Sequence, residues 1–426
     1  MKKLTFLFLL IPAFIVKSYA VDPVLFKPQS MLDPMSCTVT IKNVGQGNCA
    51  LIRNHADNHY LVIDAGSLSN KPKNTEEHIE EEFGFSEINN DIPLSANTIT
   101  VIVSHSDKDH INLFKSTFGL NIELLSRVER VILGDHFSNY FRLNDKGEPV
   151  EETRAFLRDF VLKVPHYEDK LFSLSHGKVG KLDLHGLLGT PVVEPDSFAG
   201  YLEFVPRQPI DGFFKLGQTG ILEVLGSNAG DSPGKIKDTN ANSAIVRINI
   251  NGTNILVMGD ATEHTTTRIL ESIDDPKALE ADLLIASHHG AESEDTNHIT
   301  WAAITKAKRV ALSSGFNAGY GHPTLAAVAN YLITGLESDQ VYSDPLCGLG
   351  ALQKDRHELA IYNSIGPHIE RLPPYVRGLE WIGLKEGQNK WAVFQTEKPI
   401  YATGSSGELR YTFSHNGKFI HFWKEH

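Results

Sequence analysis

The sequence predicts an α/β fold, and three observations carry that expectation. Short apolar, β-branched runs recur from Cys37 to about Pro345, each followed by a polar cluster and then a helix-like stretch. The residues able to do chemistry fall just past the C-terminal ends of those runs, where α/β folds place their sites. The composition is that of a globular chain long enough to bury a core without disulfide staples: 426 residues, 41% hydrophobic and 22% charged.

The elements follow in order. Cys37 to Asn43 alternates with period two and reads as a strand, which Gly45 and Gly47 break. Cys49 to Arg53 resumes it, and Tyr60 to Ile63 is a third strand ending at Asp64-Ala65-Gly66. Thr98 to Val103 is almost wholly β-branched and runs into Ser104-His105. Ser243–Ile250 and Thr253–Val257 flank Asn251-Gly252, a strong two-residue hairpin signal, and the second strand ends at Gly259-Asp260. Asp282 to Ala286 leads into Ser287-His288-His289-Gly290, and Arg309 to Leu312 into Ser313-Ser314-Gly315. Ile111–Phe118, Ala261–Ile273 and Thr324–Leu332 read as the helices between them. An apparent insertion, about 119–216, holds a strand candidate at Val128–Leu133 and a helix candidate at Glu151–Val164. The segment 346–426 is richer in turns; Leu409–Phe413 and Lys418–Trp423 around His415-Asn416-Gly417 look like a hairpin, either part of a small β module or an extension of the main domain.

Residues 1–20 read as a signal peptide rather than as part of the fold. Lys2 and Lys3 precede an apolar run, Leu4 to Val16, and Ser18-Tyr19-Ala20 supplies a small-x-small cleavage site. That run is short of the ~20 residues a spanning helix needs. The expectation is an exported protein, periplasmic or secreted, with no membrane span after cleavage. Removal of Lys2, Lys3 and Lys17 takes away three cations and no acid, so the formal charge of −12 becomes −15. Such a balance argues against a broad basic face for duplex nucleic acid, though not against phosphate binding at one cationic site. Three cysteines (Cys37, Cys49, Cys347) permit one disulfide; a hairpin turning at Gly45-Gln46-Gly47 would set Cys49 near Lys42, so a Cys37–Cys49 pair is not expected.

The most specific feature is His105-Ser-Asp107-Lys-Asp109-His110, four metal-capable side chains in six residues directly after a β-branched strand. Imidazole with carboxylate suits Zn²⁺, and also Mn²⁺ or Fe²⁺. Four polar groups buried in one turn need partners, and a cation supplies them. Gly259-Asp260 alone is an ordinary turn, but between a hairpin and a helix its aspartate becomes a candidate bridging carboxylate. Paired histidines at a strand end, His288-His289, are uncommon in a purely structural role; His322 in Gly321-His322-Pro323 is a weaker signal.

Taken in order, Val44-Gly45-Gln46-Gly47, Asp64-Ala65-Gly66, His105-x-Asp107-x-Asp109-His110, Asn240-x-x-Ser243, Gly259-Asp260, Ser287-His288-His289-Gly290 and Tyr320-Gly321-His322-Pro323 resemble the metallo-β-lactamase fold. More narrowly they resemble the soluble hydrolase domain of ComEC-type DNA-uptake proteins, in which aspartate stands where Asp107 does. The resemblance covers about residues 37–345. It implies a four-layer αββα sandwich spanning 21–345, followed by a C-terminal β-rich extension. It also implies a site for one or two Zn²⁺ ions, with Mn²⁺ as the alternative. His105 and Asp107 would hold the first ion. Asp109, His110 and His288 would hold the second; His288 is preferred over His289 as the nearer to the strand end. Asp260 would bridge, and Asp64 would orient the turn from behind. Leu225-Gly226-Ser227-Asn228 lacks the further histidine ligand many such enzymes carry there. The chain also lacks the multiple membrane helices of a DNA-uptake channel.

The implied activity is metal-dependent hydrolysis by a metal-bound hydroxide, with a phosphodiesterase or nuclease-like reaction favoured. Asp109 would orient the water, and His289 and His322 would contact a phosphate oxygen or protonate the leaving group. The substrate would be a small or polymeric phosphodiester, single-stranded nucleic acid included. The alternatives are hydrolysis of a lactone, thioester or β-lactam, and an inactive metal-retaining binding protein.

Overall fold

The computed structural model describes residues 35–68, 92–141, 150–174, 177–178, 213–230, 238–292, 296–315, 320–334, 336, 340–341, 353–354, 357–362, 381–382, 391–396, 398–414 and 419–424. The expected signal peptide and Cys347 lie outside them. Among the described residues no helix is long and apolar enough to cross a membrane.

Two mixed sheets organise the chain. The first runs through β1 (Cys37–Ile41), β2 (Ala50–Asn54), β3 (His59–Ile63), β4 (Thr98–Val103), β5 (Val128–Leu133), β6 (Leu171–Ser173) and β7 (Gly177–Lys178). The second contains β8 (Phe213–Leu216), β9 (Gly220–Gly226), β10 (Ile245–Ile250), β11 (Thr253–Val257), β12 (Leu283–Ile285) and β13 (Val310–Leu312). Period-two alternation sorts their side chains. In β4, Ile99, Val101 and Val103 face one core and Ile102 another; in β12, Leu284 faces one and Leu283 and Ile285 the other. Ile102 and Ile285 belong to a single core that takes Val39 and Ile52 from the first sheet and Val224, Ile248 and Val257 from the second. The two sheets therefore share a core, as in a sandwich. Their other faces carry helices. Phe114 and Phe118 pack with Phe156 and Phe160 over the first sheet, and Ile269, Trp301 and Val328 pack over the second.

The strands read from the sequence are all present, mostly trimmed by a residue or two at their ends. The Asn251-Gly252 hairpin joins β10 to β11 with Ile250 opposite Thr253. The expected helix Ile111–Phe118 is divided into Lys108–Ile111 and Phe114–Phe118, because the metal-cluster turn itself winds into the first helical turn from Asp107. Thr324 caps the helix Leu325–Ile333, its hydroxyl accepting from the Ala327 amide at 3.3 Å. The expected helix Glu151–Val164 is instead an irregular succession of helical turns: Glu151–Ala155, Phe156–Phe160 and Val161–Lys163. Val128–Leu133, read as part of an insertion, pairs in parallel with β4 inside the first sheet.

The segment after 345 is divided. β16 (His357–Tyr362), β17 (Trp381–Ile382) and β18 (Trp391–Thr396) form a separate three-stranded sheet, and β14 (Gln340–Val341) pairs with β15 (Gln353–Lys354). Its last strands complete the main sheets. β19 (Ile400–Ala402) lies parallel to β13, while β20 (Leu409–Phe413) and β21 (Phe419–Lys424) form the expected hairpin, with β20 antiparallel to β1. β1 and β13 would otherwise be open edges with unpaired backbone groups, which the tail satisfies. Cys37 and Cys49 are both buried and form no disulfide, and burial pushes Cys37 up to about 12.

Candidate metal centre

Parallel pairing places the chemistry. β3 and β4 run in register, Ile63 beside Ile102, so Asp64 and Ser104-His105 leave the same edge. In the second sheet, Val257 of β11 lies beside Ile285 of β12, and Ile285 beside Ala311 of β13. Asp260, His288-His289 and Ser313 therefore emerge together. The edges meet where the Ala244 amide donates to the Ser104 carbonyl at 3.0 Å.

Two glycine-containing loops seat the cluster turn. The Ala65 amide donates to the His110 carbonyl at 2.8 Å, and the Asn48 amide to that of Asp109 at 3.0 Å. A Cβ on Gly66 would lie 2.1 Å from the Asp109 carbonyl carbon, so only glycine permits this approach.

Asp64 is fully buried and fully used. Oδ1 accepts from the Ser104 amide at 2.7 Å; Oδ2 accepts from Ser104 Oγ at 2.8 Å and Asn48 Nδ2 at 3.1 Å, and lies 2.8 Å from His110 Nδ1. It contacts His110 on the side away from Asp260. The opposite nitrogen, His110 Nε2, lies 3.2 Å from Asp260 Oδ1. His289 is held in the same manner: Nδ1 is 2.7 Å from the Ser313 carbonyl, leaving Nε2 3.4 Å from Asp109 Oδ2 and 3.5 Å from Asp260 Oδ2.

Asp109, His110, Asp260 and His289 thus present four donor atoms, all within 4.8 Å of one another. Here the geometry differs from the expectation for the paired histidines. His289, not His288, joins the group, although His288 Nε2 is 3.9 Å from Asp260 Oδ2. Both residues have positive φ (47° and 56°), so the chain coils tightly after β12 and turns the second imidazole inward. Two consecutive left-handed residues are what bring the second imidazole, rather than the one nearer the strand end, among the four donors.

His105 and Asp107 stand beside this group rather than in it. The His105 ring is 4.1 Å from that of His110, centroid to centroid, and His105 Nε2 is 3.6 Å from Asp107 Oδ2. Thr239 donates to Asp107 at 2.9 Å, and Ser243 Oγ accepts from the Asp260 amide at 3.1 Å. His322 closes the site, its ring 5.4 Å from His288 and 6.5 Å from His289.

The residues fit a cation. His105 Nε2, His110 Nε2, His289 Nε2 and Asp260 Oδ1 are buried and make no hydrogen bond, despite the carboxylates close to them. Buried polar atoms left so would cost free energy, and a metal satisfies them together. Mixed imidazole and carboxylate donors suit Zn²⁺ or Mn²⁺. Asn228 is also buried with both carboxamide atoms unpartnered.

Without a cation, protons neutralise the group. Burial opposes a charge on His289, but Asp260 and Asp109 outweigh it and raise its pKa to about 10. The same contest, won by Asp260 and Asp64, holds His110 well above the ordinary imidazole value. Burial pushes Asp260 and Asp109 up, yet their histidine neighbours leave both below the usual carboxylate range. His322 goes the other way, down to about 3, through burial and the adjoining His289 and His288.

Asp135 is a site neighbour the sequence reading missed. It is buried just past β5, accepting from Ser106 Oγ at 2.7 Å and Asn139 Nδ2 at 2.8 Å, and burial raises its pKa. The strand-end rule that singled out Asp64 and Asp260 would have found it after Val128–Leu133.

Fold and site together define an α/β protein of two mixed sheets with a buried His/Asp group able to hold a metal ion. No family model matches the chain, and no curated protein matches it. Among solved structures it is similar to a variant of CmlA β-hydroxylase, at 13% identity over 69% of this chain and 49% of that one, with a TM-score of 0.31. It is similar to a protein from Parabacteroides distasonis described as a metal-dependent hydrolase, at 10% identity over 70% and 89%, TM-score 0.32. It is also similar to a protein of unknown function from Enterococcus faecalis, at 12% identity over 72% and 64%, TM-score 0.32. The chain spans about half the length of the CmlA enzyme. At TM-scores this low the likenesses carry no weight for the chemistry, which stands on the site's own geometry.

Proposed function

We propose that this chain is an exported metal-dependent hydrolase, built on the αββα metallo-β-lactamase arrangement, that cleaves phosphodiesters. The observation that carries the reading is the convergence of unpartnered buried donors: His110 Nε2, His289 Nε2 and Asp260 Oδ1, with His105 Nε2 alongside. The order of motifs along the chain, which resembles that of ComEC-type hydrolase domains, favours phosphorus over carbonyl carbon as the centre attacked. Export rests on the signal-peptide pattern of residues 1–20.

Asp109, His110, Asp260 and His289 would hold one ion, and His105 and Asp107, with Asp260 shared, a second. Zn²⁺ or Mn²⁺ bound there supplies a Lewis acid that lowers the pKa of water and neutralises charge on a phosphoryl group. The protein's own groups do the rest. Asp64 and the Ser313 carbonyl fix the two imidazoles so that their free nitrogens converge. Asp109, 14% exposed, is the carboxylate placed to accept a hydrogen bond from an attacking water. His322 is neutral, and its Nδ1 is buried and unpartnered, so it serves as a hydrogen-bond partner for substrate oxygen. His289, with Nδ1 held at the Ser313 carbonyl and Nε2 turned to the cluster, would act as a ligand instead of an acid.

The test is a metal assay joined to a substrate panel. Purified protein should bind about one to two Zn or Mn per chain and hydrolyse bis-p-nitrophenyl phosphate, with His110→Ala abolishing both. Full activity in metal-free protein would overturn the mechanism. Turnover of lactones or β-lactams alone would overturn the phosphodiester assignment, and bound metal without turnover of any ester would mean a binding protein.

A further inference from the structure

The loop Tyr320-Gly321-His322-Pro323 passes from solvent to the site within three residues. Tyr320 is 54% exposed and His322 is 7% exposed. The rings form a series. His110 lies 5.5 Å from His289, His289 stacks on His322 at 6.5 Å with 22° between planes, and His322 lies 6.4 Å from Tyr320. An aromatic side chain open to solvent thus stands one ring beyond the imidazole that closes the cluster. Exposed aromatic rings leave apolar area in water, and among the described residues the other one so exposed is Phe213, at the far edge strand β8.

The loop is braced from the three-stranded sheet. The Tyr362 amide donates to the Pro323 carbonyl at 2.7 Å, and a Cβ on Gly321 (φ 66°) would lie 2.6 Å from the Tyr362 ring. The platform is therefore set by packing on a neighbouring element as well as by its own turn.

We propose that Tyr320 is a stacking platform for a planar ring carried by the substrate, so that the natural substrate is a phosphoester bearing an aromatic or heteroaromatic group. This rests on the phosphodiester reading above for what occupies the cluster. A single flat ring beside an imidazole suits face-to-face stacking. A quaternary ammonium would require a cage of several aromatic faces, and one is exposed here among the described residues. Stacking tolerates any π-face, so a nucleobase and a simple aryl group are both admitted.

Binding tests this without turnover. Titration calorimetry with Zn²⁺-supplemented protein compares thymidine 5′-phosphate, phenyl phosphate and ethyl phosphate. The ring-bearing ligands should bind about tenfold more tightly than ethyl phosphate, the scale of one base–aromatic stack. Tyr320→Ala should remove that advantage while leaving ethyl phosphate unchanged, and Tyr320→Phe should keep it. Equal affinity for all three ligands, or an equal loss for all three in Tyr320→Ala, would overturn the platform. Preference for thymidine 5′-phosphate alone, or for both ring ligands, separates a nucleobase from a general aryl group, and either supports it. Hydrolysis of ethyl p-nitrophenyl phosphate and thymidine 5′-(p-nitrophenyl phosphate) is measured separately. No turnover with ring-dependent binding intact would sink the hydrolase reading alone; turnover with no ring preference in binding would sink the platform alone.

Discussion

His110 is gripped by Asp64 through a 2.8 Å contact between Nδ1 and Oδ2, so the ring's other nitrogen has one direction left to face, towards Asp260. The carboxylate sets both the tautomer and the orientation of the imidazole, and it does so from full burial. Asp64→Asn keeps the shape but loses the charge. It is expected to weaken Zn²⁺ binding about 10- to 100-fold, the usual cost of removing such a support. Competition with a chromophoric chelator measures this, and a circular dichroism spectrum matching the parent shows the fold retained. Unchanged affinity would mean that Asp64 serves only the Ser104 and Asn48 contacts.

The two neighbouring histidines should separate by metal content. His289 belongs to the four-donor group, whereas His288 Nε2 approaches one carboxylate oxygen of it at 3.9 Å. His289→Ala is expected to lose bound metal after dialysis, and His288→Ala to retain at least one ion per chain. Elemental analysis of both variants decides it. The reverse pattern would return the ligand role to His288.

Much of this site is legible in the sequence, for a definite reason. Strand ends are marked in sequence by the change from β-branched to polar residues, and the parallel pairs β3–β4 and β11–β12 bring those ends to one edge. Asp64, His105 and Asp260 follow from that alone. The choice between His288 and His289 did not, since it depends on two positive φ angles in residues without the glycine that normally signals them. Asp135 was overlooked for a different reason: β5 looked like part of an insertion, and only its pairing with β4 shows that its end reaches the cluster. The tail was illegible in another way. Leu409–Phe413 announces a hairpin, but nothing local says which edge it covers; that is settled by Val39 and Tyr411 meeting across strands 372 residues apart in number.

Protonation should report on the empty and filled states in opposite ways. The raised value of His289, about 10 against an ordinary 6.5, means that the folded, metal-free chain binds this proton more tightly than the unfolded chain does. Its stabilising effect is complete below about pH 6.5 and is lost as pH climbs through about 10; His110 shifts in the same direction. The lowered Asp260 acts at the acid end, stabilising above its ordinary 3.8 and losing that effect as pH falls further. In chelator, the melting temperature should therefore decline between neutrality and about pH 10. Zn²⁺ must displace those protons, so its apparent affinity should rise with pH over the same interval. Calorimetry in buffers of different ionisation enthalpy would register the release. A melting temperature that climbs with pH in chelator would contradict the assigned directions.

The C-terminal strands should prove inseparable from the main sheets, and one ion pair gives the means of asking. Lys42, just past β1, is in contact with Glu408, just before β20, and both side chains are buried. Glu408 also accepts from Arg410 at 2.8 Å. Glu408→Ala removes the carboxylate that Lys42 and Arg410 both contact, and breaking a buried pair by deleting one partner costs about 3–5 kcal/mol. Urea denaturation followed by tryptophan fluorescence should show the whole transition moving to lower denaturant with its slope unchanged, because β20 and β1 share one sheet. Lys42→Met combined with Glu408→Leu removes both charges and should recover much of the loss, since burying an ion pair gains little over apolar packing. If the segment after 345 were an independent module, Glu408→Ala would instead split off a low-denaturant phase and leave the main midpoint in place.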